Sequence, residues 1–202
     1  MTHPSWDDSY AAGAQPPWDI GRPQPAFRRL ADAGLLAGRV LDAGCGTGEH
    51  TLLAASAGAD ALGVDVSRLA VERARGKAAA RGSKARFEVA DALNLADLGL
   101  TFDTIIDSGL FHTFDDDNRV RYVESLASVL RPGGACYLMC FSDRQPGTLG
   151  PRRVSQDELR AAFRDGWSVS IAADAFDVNR DFGMATAQAW LVTLGRTAQA
   201  RD

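Results

Sequence analysis

The sequence lacks the segments that mark a membrane or exported protein. No apolar run reaches the roughly 18–20 residues that a membrane helix requires. The first ten residues, MTHPSWDDSY, contain two acids and no apolar stretch, unlike a secretory signal. We therefore expect no membrane partner.

Cysteine is scarce, and its spacing does not suit disulfides. The chain has three cysteines, an odd number. Cys136 and Cys140 fall in one apolar run, and at about 3.3 Å per strand residue they lie roughly 13 Å apart. That separation exceeds disulfide reach, so we expect free thiols and a cytoplasmic location.

The chain also lacks a basic excess and a metal-binding pattern. Lys+Arg is 22 against Asp+Glu 26, a formal net charge of −4, whereas proteins that grip long nucleic acids are usually basic. The three histidines are scattered without ligand spacing. We expect no nucleic-acid partner and no metal.

The 202 residues suit one domain with a short extension. Five of the eight prolines fall within the first 25 residues, so we expect residues 1–25 to form an irregular N-terminal extension or lid. The domain itself is expected over 26–194. The last eight residues, 195–202, are expected to be a frayed tail.

Apolar runs and helical segments alternate through most of the chain. This alternation predicts βαβ units in a parallel sheet, with strands at 39–43, 61–65, 85–90, 104–107 and 135–141. Two more runs, 167–175 and 186–194, have no helix between them and predict an antiparallel pair at the sheet edge. The expected fold is one α/β domain with a mostly parallel seven-stranded sheet and helices on both faces.

The central motif is VLDAGCGTG at 40–48, where a strand enters a glycine turn and then a helix. Alternate glycines let a ligand lie against bare main chain, and a helix N-terminus favours a carboxylate or pyrophosphate. A dinucleotide motif would need a third glycine where Glu49 stands, and an acid there would repel a pyrophosphate. Nicotinamide and flavin are therefore disfavoured.

This glycine pattern, with Asp42 two residues before Gly44, resembles motif I of class I S-adenosylmethionine (SAM) methyltransferases. The resemblance implies a Rossmann-like fold, S-adenosyl-L-methionine as cofactor and S-adenosyl-L-homocysteine (SAH) as product. The alternative is a glycine-rich strand–helix connection that binds no ligand.

Acids follow the next two strands. Asp65 lies about 20 residues after Gly44, where a carboxylate can accept both ribose hydroxyls; alternatively it is a helix N-terminal acid. Asp91 resembles the family's adenine-binding acid, and alternatively is a turn residue. The expected cofactor-binding residues are Trp18, Asp42, Gly44, Gly46, Gly48, Asp65, Val66, Asp91, Ala92, Leu93 and Asp107.

The segment TIIDSGLFHTF at 104–114 should face the transferred methyl group, because ligands of open α/β sheets lie at the carboxyl ends of strands. It lacks the Asn/Asp-Pro-Pro-aromatic signature of DNA and protein-amide methyltransferases. His112 is the candidate general base, or else a packed histidine that does not catalyse. The expected substrate-binding residues are Trp18, Phe111, His112, Phe141 and Arg152.

The flanks indicate a branch of the superfamily. PWDIGRPQP at 17–25 resembles the entry motif of thiol and halide methyltransferases, relatives of the thiopurine methyltransferases. GPRRVS at 150–155 resembles a second segment of that group, but Arg152 and Arg153 replace its proline and aromatic residue. The entry motif together with FHTF at 111–114 is also similar to mycobacterial heterocyclic-toxin methyltransferases.

These resemblances imply methyl transfer to a small, heteroaromatic O, N or S acceptor of the toxin or secondary-metabolite type. A thiol or halide methyltransferase and a non-catalytic SAM-binding subunit are the alternatives. The expected partner is a small-molecule substrate, and the chain is expected to be a monomer or homodimer.

Overall fold

The computed structural model describes residues 6–11, 16–179 and 185–197. The strands are β1 Arg39–Ala43, β2 Asp60–Asp65, β3 Arg86–Val89, β4 Phe102–Ser108, β5 Leu130–Phe141, β6 Trp167–Asp177 and β7 Thr186–Arg196. The α-helices are α1 Trp6–Ser9, α2 Pro25–Asp32, α3 Glu49–Ser56, α4 Arg68–Ala80, α5 Asp116–Val129 and α6 Gln156–Ala162. Short 3-10 helices span Ala92–Leu98 and Phe111–Thr113.

The seven strands form one sheet in the order β3-β2-β1-β4-β5-β7-β6. The first five strands pair in parallel, and β7 pairs antiparallel with both β5 and β6. This confirms the predicted α/β fold with a C-terminal antiparallel pair. Within the described ranges, no helix is long and apolar enough to cross a membrane.

Alternate residues of β5 supply two separate cores because successive strand side chains point to opposite faces. Cys136 and Cys140 pack with residues of α5 and α6, whereas Met139 and Phe141 pack with residues of α2 and α3. Helices therefore cover both faces of the sheet. All three cysteines are free and buried.

Polar caps begin the helices that flank the sheet. The Ser67 hydroxyl accepts a hydrogen bond from Ala70 N at the start of α4. Ser155 and Glu158 form a reciprocal capping box at the start of α6, and their Ser-x-x-Glu spacing is typical of helix N-termini.

Two boundaries differ from expectation. The extension contains the four-residue helix α1, which is short enough to fit before the prolines at 16 and 17. Gly195 and Arg196 pair with Ser168 and Trp167, so they belong to β7 and not to a frayed tail. The remainder of the expected tail, 198–202, lies outside the described residues, as do 1–5, 12–15 and 180–184.

Candidate active site

A narrow cleft of about 50 Å³ opens at the carboxyl edge of the parallel strands. One wall consists of the glycine turn, the start of α3 and Ser108 at the end of β4. The other wall comes from the N-terminal segment and is formed by Tyr10, Trp18, Asp19, Ile20 and Arg22. The structure thus brings predicted residues Trp18, Gly44, Gly46 and Gly48 together.

The glycine turn needs glycine for both conformation and space. Gly44, Gly46 and Gly48 have φ values of +70°, +52° and +88°, a region that L side chains rarely adopt. A Cβ on Gly46 would lie 2.9 Å from the Tyr10 hydroxyl oxygen. The cleft floor is therefore bare backbone.

Glu49 begins α3 beside this turn, and two basic side chains compensate its negative charge. Its carboxylate pairs with Lys77 at 2.9 Å and Arg81 at 2.8 Å. Glu49 would therefore repel a pyrophosphate less strongly than the sequence alone predicts. The missing third glycine is the stronger argument against a dinucleotide.

Asp65, at the end of β2, is tied to the glycine turn. Its carboxylate accepts hydrogen bonds from Gly46 N and Ser67 N, each at 2.8 Å. Burial raises the pKa of this carboxyl group. Val66 follows it and is 46% exposed. Asp65 thus joins the glycine turn to the start of α4.

Two predicted cofactor-binding acids lie beneath the cleft, not on its surface. Asp42 is buried and accepts a hydrogen bond from the Thr51 hydroxyl at 2.7 Å, while its Oδ1 has no partner within the described residues. Asp107 is buried and accepts hydrogen bonds from Leu110 N and the Tyr122 hydroxyl at 2.7 and 3.0 Å. Burial raises the pKa of both carboxyls to about 7. The structure thus gives Asp107 a scaffolding position.

Asp91 follows β3 at the same sheet edge and caps a turn. Its exposed carboxylate accepts hydrogen bonds from Leu93 N at 2.9 Å and the Asn94 amide at 2.8 Å. Ala92 is buried and Leu93 is half-buried. These residues flank the cleft on the β3 side without lining it.

His112 occupies the 3-10 turn after β4 and is 6% exposed. Its Nδ1 accepts a hydrogen bond from Phe141 N at 3.0 Å. The ring also packs on the rings of Phe141 and Phe176, with centroids 5.2 and 6.3 Å away. Burial, with smaller contributions from Arg119 and Arg153, lowers the pKa of His112 to about 3, so the imidazole is neutral.

Comparisons with known proteins agree with this geometry. A family model described as a methyltransferase domain matches residues 40–134. The 2-heptyl-1-hydroxyquinolin-4(1H)-one methyltransferase of Mycobacteroides abscessus is 40% identical over 160 residues, 77% of this chain and 70% of that protein. This chain belongs to the class I SAM-dependent methyltransferases.

Another curated relative and two solved structures are also similar to this methyltransferase. A probable thiol methyltransferase of Arabidopsis thaliana is 32% identical over 155 residues, 76% of this chain and 68% of that protein. A structure reported for the conversion of a disulfide bond into a thioacetal group during echinomycin biosynthesis has TM-score 0.87 and 39% identity, covering 96% of this chain and 93% of that one. Magnesium protoporphyrin IX methyltransferase from Synechocystis with bound SAM has TM-score 0.66 and 25% identity, covering 85% and 76%.

The methyltransferase has residues that fit SAM. Bare glycine backbone and the N-terminus of α3 suit the carboxylate of its methionine part. Asp65 accepts hydrogen bonds from Gly46 N and Ser67 N and has further oxygen lone pairs for ribose hydroxyls, whereas the unpaired Oδ1 of Asp42 lies buried beneath the cleft. Within the described ranges, no group of three or more His, Cys, Asp or Glu side chains could hold a metal ion.

Phe111 and Phe141, which were predicted to bind the acceptor, are core residues of the methyltransferase. Phe111 is fully buried between the Arg119 guanidinium, 4.7 Å from its ring centre, and Phe163. Phe141 is 3% exposed and lies beneath His112 and Arg153. Phe111 therefore does not form a cleft wall, and Phe141 supports the ring of His112.

Arg152 is engaged by protein carboxylates. Its guanidinium pairs with Asp116 and Glu158, so it is not a free site for an anionic acceptor. Arg153 donates hydrogen bonds to carbonyl oxygens within the loop that links β5 to α6, at Gln145, Gly147, Leu149 and Pro151. Both arginines thus hold this region of the methyltransferase in shape.

Five residues at or next to the cleft were not predicted from the sequence: Tyr10, Asp19, Gln24, Thr47 and His50. Trp18 Nε1 donates to the Tyr10 hydroxyl at 2.8 Å, and the Thr47 hydroxyl donates to Asp19 at 2.9 Å. His50 Nε2 accepts a hydrogen bond from Gln24 N at 3.0 Å. The entry motif at 17–25 was the available signal for two of them, Asp19 and Gln24.

Proposed function

We propose that this methyltransferase transfers a methyl group to an O, N or S atom of a small heteroaromatic acceptor of the toxin or secondary-metabolite type. The main support for this proposal is that residues of the N-terminal segment form one wall of the cleft. The chain's own N-terminal segment, with Tyr10 and Trp18, closes over the glycine turn. Such an enclosure suits a small flat acceptor and not a polymer.

The relatives support this acceptor class. One is named for a hydroxyquinolone, and the structure with TM-score 0.87 comes from work on echinomycin biosynthesis. Around the cleft, aromatic rings provide apolar surface, and a dry site favours reactions in which opposite charges cancel. SAM supplies a methyl group on a sulfonium sulfur, so an anionic acceptor would be neutralised as it is methylated.

We also propose that residues 1–25 act as a lid over the domain at 26–194. Asp7 accepts hydrogen bonds from the Ser67 hydroxyl at 2.6 Å and from Leu69 N at 3.3 Å, at the start of α4. The cleft of about 50 Å³ is much smaller than the roughly 300–1,000 Å³ typical of ligand sites. Tyr10 and its segment must therefore move before a ligand as large as SAM can enter.

A thiol or halide acceptor is the second candidate. The entry motif at 17–25 and the 32% identity to a probable thiol methyltransferase support it. A thiolate or halide is already anionic and small enough for the same cleft. The identity of the methylated product separates the two candidates.

We further propose that the protein works in the cytoplasm as a monomer or homodimer, without nucleic-acid or membrane partners. Three unpaired buried cysteines support a reducing compartment. The net charge of −4 does not favour nucleic acid.

The test is a turnover assay with SAM read by mass spectrometry. The acceptors are a hydroxyquinolone, a hydroxyquinoline, thiophenol, a thiopurine, hydrogen sulfide and iodide. A methylated heteroaromatic product supports the proposal. Methylation of sulfide, thiophenol or iodide alone supports the second candidate, and no product from any acceptor while SAM binds contradicts both.

A further inference from the structure

The two nitrogens of the His112 ring have different surroundings. Nδ1 accepts a hydrogen bond from Phe141 N at 3.0 Å. A nitrogen that accepts from an N–H cannot itself carry a proton, so the neutral ring must hold its proton on Nε2. Nε2 then has no lone pair with which to remove a proton from an acceptor.

Nε2 lies next to Gly109, which follows β4, and His112 itself is not among the residues that line the cleft. A Cβ placed on Gly109 would lie 3.3 Å from Nε2, and Gly109 directly follows Ser108, which lines the cleft. The next residue, Leu110, lies against the glycine turn, because a Cβ on Gly44 would be 3.0 Å from its side chain. Within the part of the chain that the structure describes, no group accepts a hydrogen bond from Nε2.

We infer that His112 acts on the acceptor as a hydrogen-bond donor through Nε2–H and not as a general base. This inference rests on the proposed function and narrows its acceptor class. The acceptor must bind already ionised, with an oxygen in the reach of Nε2. A hydroxyquinolone anion, whose charge is shared between two conjugated oxygens, has this chemistry.

The atoms and charges balance without a base. The acceptor loses its proton to solvent before it binds. A lone pair of the acceptor atom then forms the bond to the methyl carbon while the carbon–sulfur bond breaks and its electron pair returns to sulfur. An anion and a sulfonium cation give two neutral products, and no proton passes to His112.

Charges near His112 favour an anion there. Arg119 stacks on Phe111, and Arg153 lies 5.4 Å from the centre of the Phe141 ring. Arg119 is 5% exposed, and its Nη1 pairs with Glu158 at 3.3 Å, while its Nε and Nη2 have no hydrogen-bond partner within the described residues. Two cations beside a buried ring oppose an imidazolium and attract a negative acceptor.

The remaining element that contacts the ring adds no free charge. On β6, Phe176 contacts His112, and the adjacent Asp177 is paired with Arg22 at 2.8 Å. The low pKa of His112, about 3, keeps the ring neutral throughout an ordinary assay.

The variants His112→Gln and His112→Phe separate donor from base. A glutamine amide can donate a hydrogen bond but cannot take a proton at neutral pH. With a hydroxyquinolone acceptor, we expect His112→Phe to lower kcat/KM about 10²-fold and His112→Gln to stay within about fivefold of wild type. A His112→Gln loss equal to that of His112→Phe, with SAH binding unchanged in both, overturns the donor role.

Nitrogen-15 NMR of the SAH-bound wild-type protein reads the tautomer without any acceptor. We expect protonated Nε2 from pH 5 to pH 9, and protonated Nδ1 overturns the inference. Wild-type protein that methylates no heteroaromatic compound contradicts the proposed function. An active enzyme with the Nδ1–H tautomer contradicts the donor role alone.

Discussion

The carboxylates near the cleft form two groups, one bonded to the glycine turn and one bonded to buried side chains. Asp65 is tied to Gly46 at the cleft, whereas Asp42 and Asp107 bond to Thr51 and Tyr122 beneath it. The sequence places all three at strand ends, and that placement is confirmed. Which of them faces the ligand depends on side-chain direction and on partners far along the chain, such as Tyr122, which no local pattern contains.

Asp65→Ala should weaken SAM binding by about 1–3 kcal/mol, since it removes charged hydrogen bonds and loosens the Gly46 backbone. Isothermal titration calorimetry measures the change. Asp60→Ala, at the other end of β2, is the matched control and should leave binding unchanged. Equal affinities of the Asp65→Ala and wild-type proteins would remove Asp65 from the cofactor site.

Asp42 should make stability depend on pH. Burial raises its folded-state pKa to about 7, above the unfolded value, so the folded protein binds more protons between pH 4 and pH 7. The free energy of unfolding contributed by Asp42 therefore falls as pH rises through this window. Compared with Asp42→Asn, wild type should lose about 1–3 kcal/mol from pH 4 to pH 8 in urea denaturation. If the free energies of unfolding of wild type and Asp42→Asn changed in parallel with pH, the predicted rise in the folded-state pKa of Asp42 would be wrong.

The helices and strands follow from sequence patterns more closely than the site does. Strand–helix alternation predicts the parallel sheet, and the capping residues Ser67 and Ser155 predict two helix starts. The insertion of β7 between β5 and β6 is not readable locally, because it depends on long-range pairing. Strand β5 also starts at Leu130, earlier than predicted, because the chain at 132–134 bends the pairing without ending it.

Helix α1 should hold the lid closed through Asp7. Asp7→Ala removes the acceptor for the Ser67 hydroxyl and Leu69 N, so we expect the SAM dissociation rate to rise several-fold. Stopped-flow fluorescence of Trp6 and Trp18 reports this rate. The exposed Asp32 at the end of α2 supplies the control variant Asp32→Ala, and identical rates in all three proteins would leave α1 without a lid function.

At the scale of the whole molecule, segments far apart in the sequence meet around Gln24. The side-chain amide of Gln24 exchanges two hydrogen bonds, each 2.8 Å, with the backbone of Asp177, so the entry motif at 17–25 is joined to the end of β6. His50 accepts from the backbone of the same glutamine. The N-terminal segment, the glycine turn and the C-terminal hairpin are thereby connected. This closure by the chain itself underlies the proposal of a small acceptor.

A competition assay tests that proposal most directly. Wild-type protein receives SAM with equal concentrations of a hydroxyquinolone and thiophenol, and mass spectrometry measures both methylated products. We predict that the methylated hydroxyquinolone dominates and that its formation requires SAM. Methylated thiophenol as the main product would contradict the heteroaromatic proposal and assign the enzyme to thiol methylation.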